Sequence, residues 1–230
     1  VDPLFLGLHH LQESEMSSKT VPKAEDKERV GNFCIAEGKT CVIEYSDLPD
    51  ELATAKEPDG SRRFDAASIA IHALRVDFVE RLTDGELRLP WHRADKKVAH
   101  VDDAGNVVEP AEPNAVKLER FVFDAMPLAD EAVILETRRS QEFSPIKNAE
   151  GPDSPATSLH DQVRRAATWM EAANIQVPRD ADGQITAAIE ISPLFADSAE
   201  QLAAKIDTDL EITTGQNVYL GSRGQTGGLR

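Results

Sequence analysis

Two charged side chains occupy positions at which a charged group could take part in chemistry. Glu44 follows the apolar pair Val42–Ile43, and a carboxylate at the end of a buried strand tends to face the crevice where open α/β sheets bind ligands. Lys147 lies in a proline-containing loop after a predicted buried strand, where a flexible point charge suits a phosphate group. Taken singly, both residues also fit ordinary solvated positions. The residue types alone therefore predict charged groups at the edge of a cleft, without naming a reaction.

Other candidates for chemistry are few. Phe121 and Phe123 are two of only 8 phenylalanines in a chain that is 5% aromatic; Phe121 suits a core position, and the environment of Phe123 stays open. Cys34 and Cys41 lie in facing arms of a predicted hairpin and are interpreted as two buried thiols. None of the 6 histidines has zinc-site spacing. The Gly-rich tail lacks the Gly-Lys-Ser/Thr of a phosphate loop.

Length and charge limit the class of function. The chain has 230 residues, 40% of them hydrophobic, and a formal net charge of −16, which indicates a globular protein. The negative charge excludes nucleic-acid binding and adhesion to an anionic membrane as leading interpretations. No apolar run approaches the roughly 20 residues of a membrane span, and the first residues do not form a signal peptide. Two cysteines favour a reducing cytoplasm, and the initial valine leaves a processed or truncated product open.

Predicted strands alternate with predicted helices, which favours an α/β or α+β class. In order, the patterns predict a polar loop or ragged helix at 12–29, a hairpin at 33–45, a short helix at 50–56, a strand then a helix over 66–82, and a hairpin at 101–108. They then predict a helix from Asn114 to about Met126, a strand at 131–137, a break at 148–156, a helix at 157–173, a strand at 184–191, a helix at 198–206 and a mobile tail at 215–230.

Six segments, taken in order, resemble the UDP-N-acetylglucosamine pyrophosphorylase group of the UDP-sugar pyrophosphorylases. The segments are DPLFLG (2–7), VIEYSD (42–47), FDAASIAIH (64–72), PNAVKLERFVFD (113–124), EFSPIKN (142–148) and EISPL (190–194). Each is modestly specific, whereas their common order over nearly 200 residues is highly specific. The resemblance runs from the first residue to about Leu194.

The resemblance implies a fold and a reaction. The fold is α/β, as part of a Rossmann-like, GT-A-like nucleotidyltransferase sheet with flanking helices. The reaction joins UTP to N-acetylglucosamine 1-phosphate with Mg²⁺ and releases pyrophosphate. Glu44 would accept hydrogen bonds from sugar hydroxyls, Phe121 and Phe123 would line the sugar and N-acetyl pocket, and Lys147 would neutralise phosphate charge. Ser68 stands where the family has a sugar-contacting asparagine. Ile71 replaces a second asparagine.

These departures leave glucose 1-phosphate, galactose 1-phosphate or another hexose 1-phosphate open as substrate. The family's Gly-rich loop, uridine-binding segment and metal-binding aspartate precede the first matching segment, so the chain resembles a C-terminal half that lacks the N-terminal half. Residues 1–194 would belong to the catalytic domain, and 195–230 would begin a C-terminal region with a flexible tail. We expect this half alone to be inactive. A non-catalytic sugar-nucleotide-binding remnant and an unrelated α/β domain are the alternatives; the metal ligands and oligomeric state receive no prediction.

Overall fold

The computed structural model describes residues 2–221, which form two compact units. The first unit covers Leu4–Glu136, and the second runs from Thr137 to the end of the described chain together with the first residues. None of the described helices is long and apolar enough to cross a membrane. The assignment of residues 1–194 to a catalytic domain and of 195–230 to a C-terminal region stays a prediction.

A mixed five-stranded sheet forms the centre of the first unit, in the order β3-β2-β4-β1-β9. The strands of this unit are β1 (Met16–Pro22), β2 (Asn32–Ala36), β3 (Lys39–Ile43), β4 (Ala66–Leu74), β5 (His92–Lys96), β6 (His100–Val101), β7 (Val107–Val108), β8 (Ala115–Glu119) and β9 (Ala132–Glu136). Its helices are α1 (Pro3–Leu11), α2 (Asp50–Ala53), α3 (Val76–Thr83) and a 3-10 helix at Val122–Leu128. Strand β1 pairs antiparallel with β4 and parallel with β9.

The polar segment 12–29 was predicted as a loop or ragged helix, and that prediction is wrong for residues 16–22. It contains β1, a central strand whose first six residues are all buried. Their hydroxyls are satisfied inside the unit: the Ser18 hydroxyl lies 2.7 Å from Nδ1 of His72, and the Thr20 hydroxyl donates to the Ala67 carbonyl at 2.8 Å. Buried polar groups are tolerated when they are hydrogen-bonded, so the absence of an apolar pattern did not exclude a strand.

The hairpin predicted at 33–45 is confirmed as β2 and β3. Glu37 and Gly38 connect the strands with φ values of 52° and 75°, the left-handed pair that a two-residue hairpin turn requires. Glycine adopts this conformation without strain, which explains its place at the tip. The short helix, the strand and helix within 66–82, the hairpin at 101–108 and the strand at 131–137 are also confirmed.

Cys34 and Cys41 face each other directly across this hairpin, with 3.2 Å between their Sγ atoms. Both are half-buried rather than buried, which corrects the prediction of two core thiols. The hairpin is an edge of the sheet, so these side chains are only partly covered. Burial and the neighbouring Cys41 raise the pKa of Cys34 to about 12, so Cys34 is a thiol at neutral pH.

We expect oxidised glutathione to close a disulfide between Cys34 and Cys41. Opposite residues of paired strands lie within the Cα separation that a disulfide spans. One thiol would attack glutathione disulfide and release one glutathione, and the other thiol would then displace the second glutathione. Intact-protein mass spectrometry should show the loss of two hydrogens, and Cys34→Ser should instead stop at one bound glutathione. Two thiols that stay titratable in the folded, treated protein would contradict this prediction.

The helix predicted from Asn114 to about Met126 is wrong. The chain forms β8, which pairs antiparallel with β5, and then the 3-10 helix. Phe121 lies between them with φ −105° and ψ 138°, an extended conformation. The apolar residues that imitate a helical stripe therefore belong to two elements. Strand pairing with a segment far away in sequence decided the structure, and local periodicity could not detect it.

The second unit contains α4 (Arg139–Glu142), α5 (Pro155–Ala172), β10 (Ala188–Ile191), α6 (Ala199–Lys205) and β11 (Asn217–Leu220). Strands β10 and β11 are parallel. The core of the unit is formed by one face of α5, by α6 and by both strands; it includes Ala166, Ala167, Met170, Ile189, Leu202, Val218 and Leu220. The helices predicted at 157–173 and 198–206 are confirmed, and the strand predicted at 184–191 is confirmed over its second half.

Helix α5 begins with a reciprocal cap. The Ser154 side chain accepts a hydrogen bond from the Thr157 amide, and the Thr157 side chain accepts from the Ser154 amide.

The prediction of a mobile tail at 215–230 is wrong for β11, because Val218 and Leu220 are buried in the core of this unit. The remainder of that predicted tail lies outside the described residues.

Candidate functional site

Two predicted site residues, Glu44 and Ser68, lie around Gly31 in the first unit. Glu44 follows directly on β3, and its carbonyl accepts the Asp47 and Leu48 amides at 2.9 and 3.0 Å, so a tight turn fixes its backbone. The Ser68 amide donates to the Gly31 carbonyl at 2.8 Å. A Cβ placed on Gly31 would lie 3.2 Å from Oε1 of Glu44 and 3.7 Å from Cβ of Ser68. The fold therefore brings Glu44 and Ser68 to the two sides of one glycine.

The carboxyl group of Glu44 is held in an unfavourable electrostatic environment. Burial and the nearby Asp47 raise the pKa of Glu44, His92 lowers it, and Asp124 and Glu119 raise it further. Within the described part of the chain, no side chain or amide donates to this carboxylate. Its oxygens can therefore accept hydrogen bonds from the hydroxyls of a ligand.

Phe121 and Phe123 form a stacked pair beside this carboxylate. Their ring centroids are 4.8 Å apart with an interplanar angle of 15°, and both rings are half-buried. Phe121 therefore does not occupy the core position that its sequence pattern favoured. Residues two apart in an α-helix point to different sides, so the stack depends on the extended backbone at Phe121. The result is an apolar surface near Glu44, against which the face of a sugar or a methyl group can pack.

Sequence reasoning missed three residues of this cluster, namely Gly31, His92 and Asp124. His92 begins β5, and its Nε2 lies 2.7 Å from Oδ2 of Asp124. The histidine ring also packs against Phe121, with 4.7 Å between the ring centroids. Only the pairing of β5 with β8, which sets His92 opposite Glu119, shows that His92 belongs here. No local sequence signal could have indicated it.

Strand β4 contains an irregularity next to Ser68. The register between β1 and β4 shifts between Ser18 and Thr20, and Ala70 has a φ of 57°. A residue with a side chain is strained in this left-handed conformation, and such strain is concentrated near functional sites. Ile71 follows in this bulge and is 37% exposed.

Lys147 belongs to the second unit, in the loop between α4 and α5. Its amide donates to the Asp153 carbonyl at 2.7 Å, and the Asn148 amide donates to the same oxygen at 3.0 Å. Upstream, the Ser144 hydroxyl donates to Oδ2 of Asp161 on α5 at 2.7 Å. The loop is therefore tied at both ends, and the Lys147 side chain is exposed.

A cavity of about 590 Å³ lies between the segment 139–144 and helix α5. Its lining includes three arginines, Arg139, Arg164 and Arg165, together with the acidic residues Glu142 and Asp161. Arg164 is paired with Asp161 at 2.9 Å, and Arg165 donates to the Gln141 carbonyl at 3.2 Å. This cationic lining borders the loop that carries Lys147, and arginine and lysine together are typical of surfaces that bind phosphate.

Replacing Gly31 by alanine should destabilise the first unit. The added Cβ would lie 2.7 Å from Cγ1 of Val42, too close for any real contact, and would press on Glu44. Overpacking of this kind costs about 1–3 kcal/mol. Urea unfolding should show the loss, whereas Gly7→Ala in helix α1, where nothing lies within 4 Å, should be neutral or stabilising. Equal unfolding free energies for Gly31→Ala and the wild type would contradict the close approach.

A family model described as UTP–glucose-1-phosphate uridylyltransferase matches residues 1–200. The chain belongs to this family. It is 41% identical over 178 residues to a Caenorhabditis elegans protein assigned as a UDP-N-acetylglucosamine pyrophosphorylase, covering 76% of this chain and 37% of that protein. It is 36% identical over 209 residues to the Saccharomyces cerevisiae UDP-N-acetylglucosamine pyrophosphorylase, covering 88% of this chain and 42% of that protein. The family predicted from the six sequence segments is confirmed.

The fold agrees with this assignment. A crystal structure from Entamoeba histolytica, assigned as a UDP-N-acetylglucosamine pyrophosphorylase, superposes with a TM-score of 0.74 at 31% identity, covering 95% of this chain and 52% of that one. The mixed α/β architecture predicted from the sequence is therefore confirmed. The chain spans between 37% and 42% of the length of the two relatives named above, so the activity of the whole protein is treated as a proposal.

Proposed function

We propose that the protein containing this chain is a uridylyltransferase that forms UDP-N-acetylglucosamine and pyrophosphate from UTP and N-acetylglucosamine 1-phosphate. The cluster of Glu44, Ser68 and the Phe121–Phe123 stack supports this most directly, because it combines a free hydrogen-bond acceptor with an apolar surface. A sugar that carries an acetamido group presents both hydroxyl donors and a methyl group. The names of the relatives supply the reaction.

In the proposed reaction, a phosphate oxygen of the sugar phosphate attacks the α-phosphorus of UTP. A new phosphorus–oxygen bond forms, and the bond from the α-phosphorus to the oxygen bridging to the β-phosphate breaks. Pyrophosphate leaves with that electron pair. Such transfers depend mainly on positioning and on stabilising developing negative charge. Lys147 would supply positive charge there, while Glu44 and Ser68 would orient the sugar.

The proposal also covers the type of domain, the metal ion and the cellular location. The five-stranded sheet would be part of a Rossmann-like, GT-A-like nucleotidyltransferase domain that continues to residue 194, with residues 195–230 opening a C-terminal region. Mg²⁺ is proposed from the resemblance alone. Among the residues that the structure describes, no group of three or more His, Cys, Asp or Glu side chains could hold a metal ion, so these residues do not fit a Mg²⁺ site and no step is assigned to one. Cytoplasmic location is proposed from the reduced cysteines.

A hexose 1-phosphate is the second candidate substrate. It is favoured by Ser68 and by the exposed Ile71, which stand where the family has asparagines. A serine reaches less far than an asparagine and offers a hydroxyl in place of an amide. Isoleucine can make no side-chain hydrogen bond, so the two changes alter polar recognition of the sugar.

The full-length protein should release pyrophosphate when UTP is supplied with N-acetylglucosamine 1-phosphate. The assay compares that substrate with the 1-phosphates of N-acetylgalactosamine, glucose and galactose, and measures kcat/KM for each. The highest value for an N-acetylhexosamine supports the proposal. A preference for glucose or galactose 1-phosphate would favour the second candidate. No turnover together with binding of the UDP-sugar would indicate a non-catalytic sugar-nucleotide-binding protein.

A further inference from the structure

His92 and Asp124 form a polar pair at the base of the β5–β8 ribbon. Nε2 of His92 and Oδ2 of Asp124 are 2.7 Å apart, and the two side chains are only 29% and 14% exposed. An ionised carboxylate can only accept hydrogen bonds, so Nε2 of His92 carries the proton of this bond. A partly buried hydrogen bond to a charged group is among the stronger polar contacts in a protein.

One residue of this pair packs on the aromatic stack, and the other directly follows the stack in the chain. The His92 ring packs on Phe121 at 4.7 Å between centroids with a tilt of 54°, and Phe121 stacks on Phe123. Asp124 directly follows Phe123 in the chain. The bond from His92 to Asp124 therefore ties the whole segment 121–124 to the first residue of β5.

A second contact joins the residues that directly precede His92 and Phe121. The Arg120 guanidinium lies 4.1 Å from the centre of the Trp91 ring. Trp91 and Arg120 directly precede His92 and Phe121, so the two neighbouring pairs hold the same two chain segments together. The backbone of His92 is thus held in place by the pairing of β5 with β8.

The pair also lies close to Glu44. His92 lowers the pKa of the Glu44 carboxyl and Asp124 raises it. Strand β3, which leads into Glu44, packs against the 3-10 helix that contains Asp124. The hydrogen bond from His92 therefore holds an element that packs beside the strand leading into Glu44.

We propose that His92 and Asp124 are positioning residues that hold the Phe121–Phe123 stack at a fixed separation from Glu44, and that they thereby set the preference for an N-acetylhexosamine 1-phosphate over a hexose 1-phosphate. This inference rests on the proposed function. An acetamido group differs from a hydroxyl mainly by an apolar methyl and a planar amide. Packing of such a small apolar group against a protein surface contributes about tenfold or more to kcat/KM. This gain requires that the aromatic stack keeps a fixed position relative to Glu44.

The test uses the full-length protein and the variants His92→Ala, Asp124→Ala and the two combined. We measure kcat and KM for UTP, N-acetylglucosamine 1-phosphate and glucose 1-phosphate. Each single variant should reduce the ratio of kcat/KM for the two sugar phosphates by about tenfold, with little change in KM for UTP. The double variant should resemble either single one, because both remove the same bond.

Two further variants separate positioning from general damage. His92→Gln can still donate from its amide nitrogen to Asp124, and it should recover most of the lost discrimination. His100→Ala removes an exposed histidine of strand β6 and should leave the ratio unchanged. Thermal unfolding confirms that each variant is folded, and if His92→Ala does not fold, His92→Gln and Asp124→Ala carry the comparison.

The outcomes distinguish the inference from the proposed function. A wild-type protein without uridylyl transfer would overturn the proposed function and this inference with it. A wild-type enzyme that discriminates, together with folded variants that discriminate equally well, would overturn the inference alone. So would an equal rise in KM for UTP, a failure of His92→Gln to restore discrimination, or the same loss in His100→Ala.

Discussion

Replacing Lys147 by alanine in the full-length enzyme should lower kcat by about 10²-fold or more. The proposed transfer develops negative charge on the phosphoryl oxygens, and a single positioned charge or donor at such a site is worth about this factor. The effect should appear in kcat more than in the KM for either substrate, because the charge is greatest in the transition state. Steady-state kinetics of pyrophosphate release measures both quantities.

The backbone around Lys147 is fixed although the side chain is exposed, which suits the proposed role. Its amide is fixed to the Asp153 carbonyl at 2.7 Å, and the preceding segment is fixed to α5 through Ser144 and Asp161. The backbone on both sides of the lysine is therefore held before the phosphates bind. A tied loop loses less conformational entropy on binding than a free one does.

Two other variants test the assignment of Lys147. Lys147→Arg keeps the charge with a different shape, so it should retain more activity than alanine. Lys205→Ala removes another exposed lysine, at the end of α6 in the same unit, and should leave kcat unchanged. Turnover near the wild-type level in Lys147→Ala would show that the assigned role is wrong.

Replacing Glu44 by alanine should raise the KM for the sugar phosphate by about 10- to 100-fold and leave the KM for UTP nearly unchanged. Hydrogen bonds to a charged acceptor contribute about 1.5–3 kcal/mol, which corresponds to that range. The carboxylate has no donor within the described part of the chain, so its hydrogen-bonding capacity is available to a ligand. Full kinetics with each substrate varied separately measures the two values of KM.

Glu44 should also lower the stability of the protein at neutral pH. Because burial and Asp47 raise its pKa, the folded state binds this proton more tightly than the unfolded chain does. The resulting stability is present at acidic pH and is lost as the pH rises through the pKa of the folded state. Glu44→Gln should therefore raise the thermal unfolding midpoint at pH 7, and the gain should shrink towards about pH 4, near the ordinary glutamate pKa.

Glu51→Gln is the matched control, because Glu51 is an exposed carboxylate on α2 only seven residues further along the chain. It should leave the KM for the sugar phosphate unchanged. A selective loss of UTP affinity in Glu44→Ala would place Glu44 outside the sugar pocket. A midpoint lowered by Glu44→Gln at pH 7 would contradict the electrostatic description.

Much of the architecture follows from local sequence. The β2–β3 hairpin is encoded by Glu37-Gly38 between two apolar runs, because few residue pairs accept the left-handed conformation that the turn requires. Helix α5 is encoded by Ser154 at its cap and by an apolar stripe. Both signals arise within a few residues of the chain, so they can be detected without knowledge of the rest. The order of the six family segments likewise belongs to the sequence itself, and it predicted the family.

Tertiary structure decided the remainder. Strand β1 contains serines, a lysine and a threonine, and it is central only because His72, Ala67 and its neighbouring strands satisfy its polar groups. Residues 115–119 became a strand because β5 pairs with them. Gly31, His92 and Asp124 joined the site through the same long-range pairings. Sequence determined which groups were available for chemistry, whereas their distances depended on strand register, which is a property of two segments together and cannot be read from either one alone.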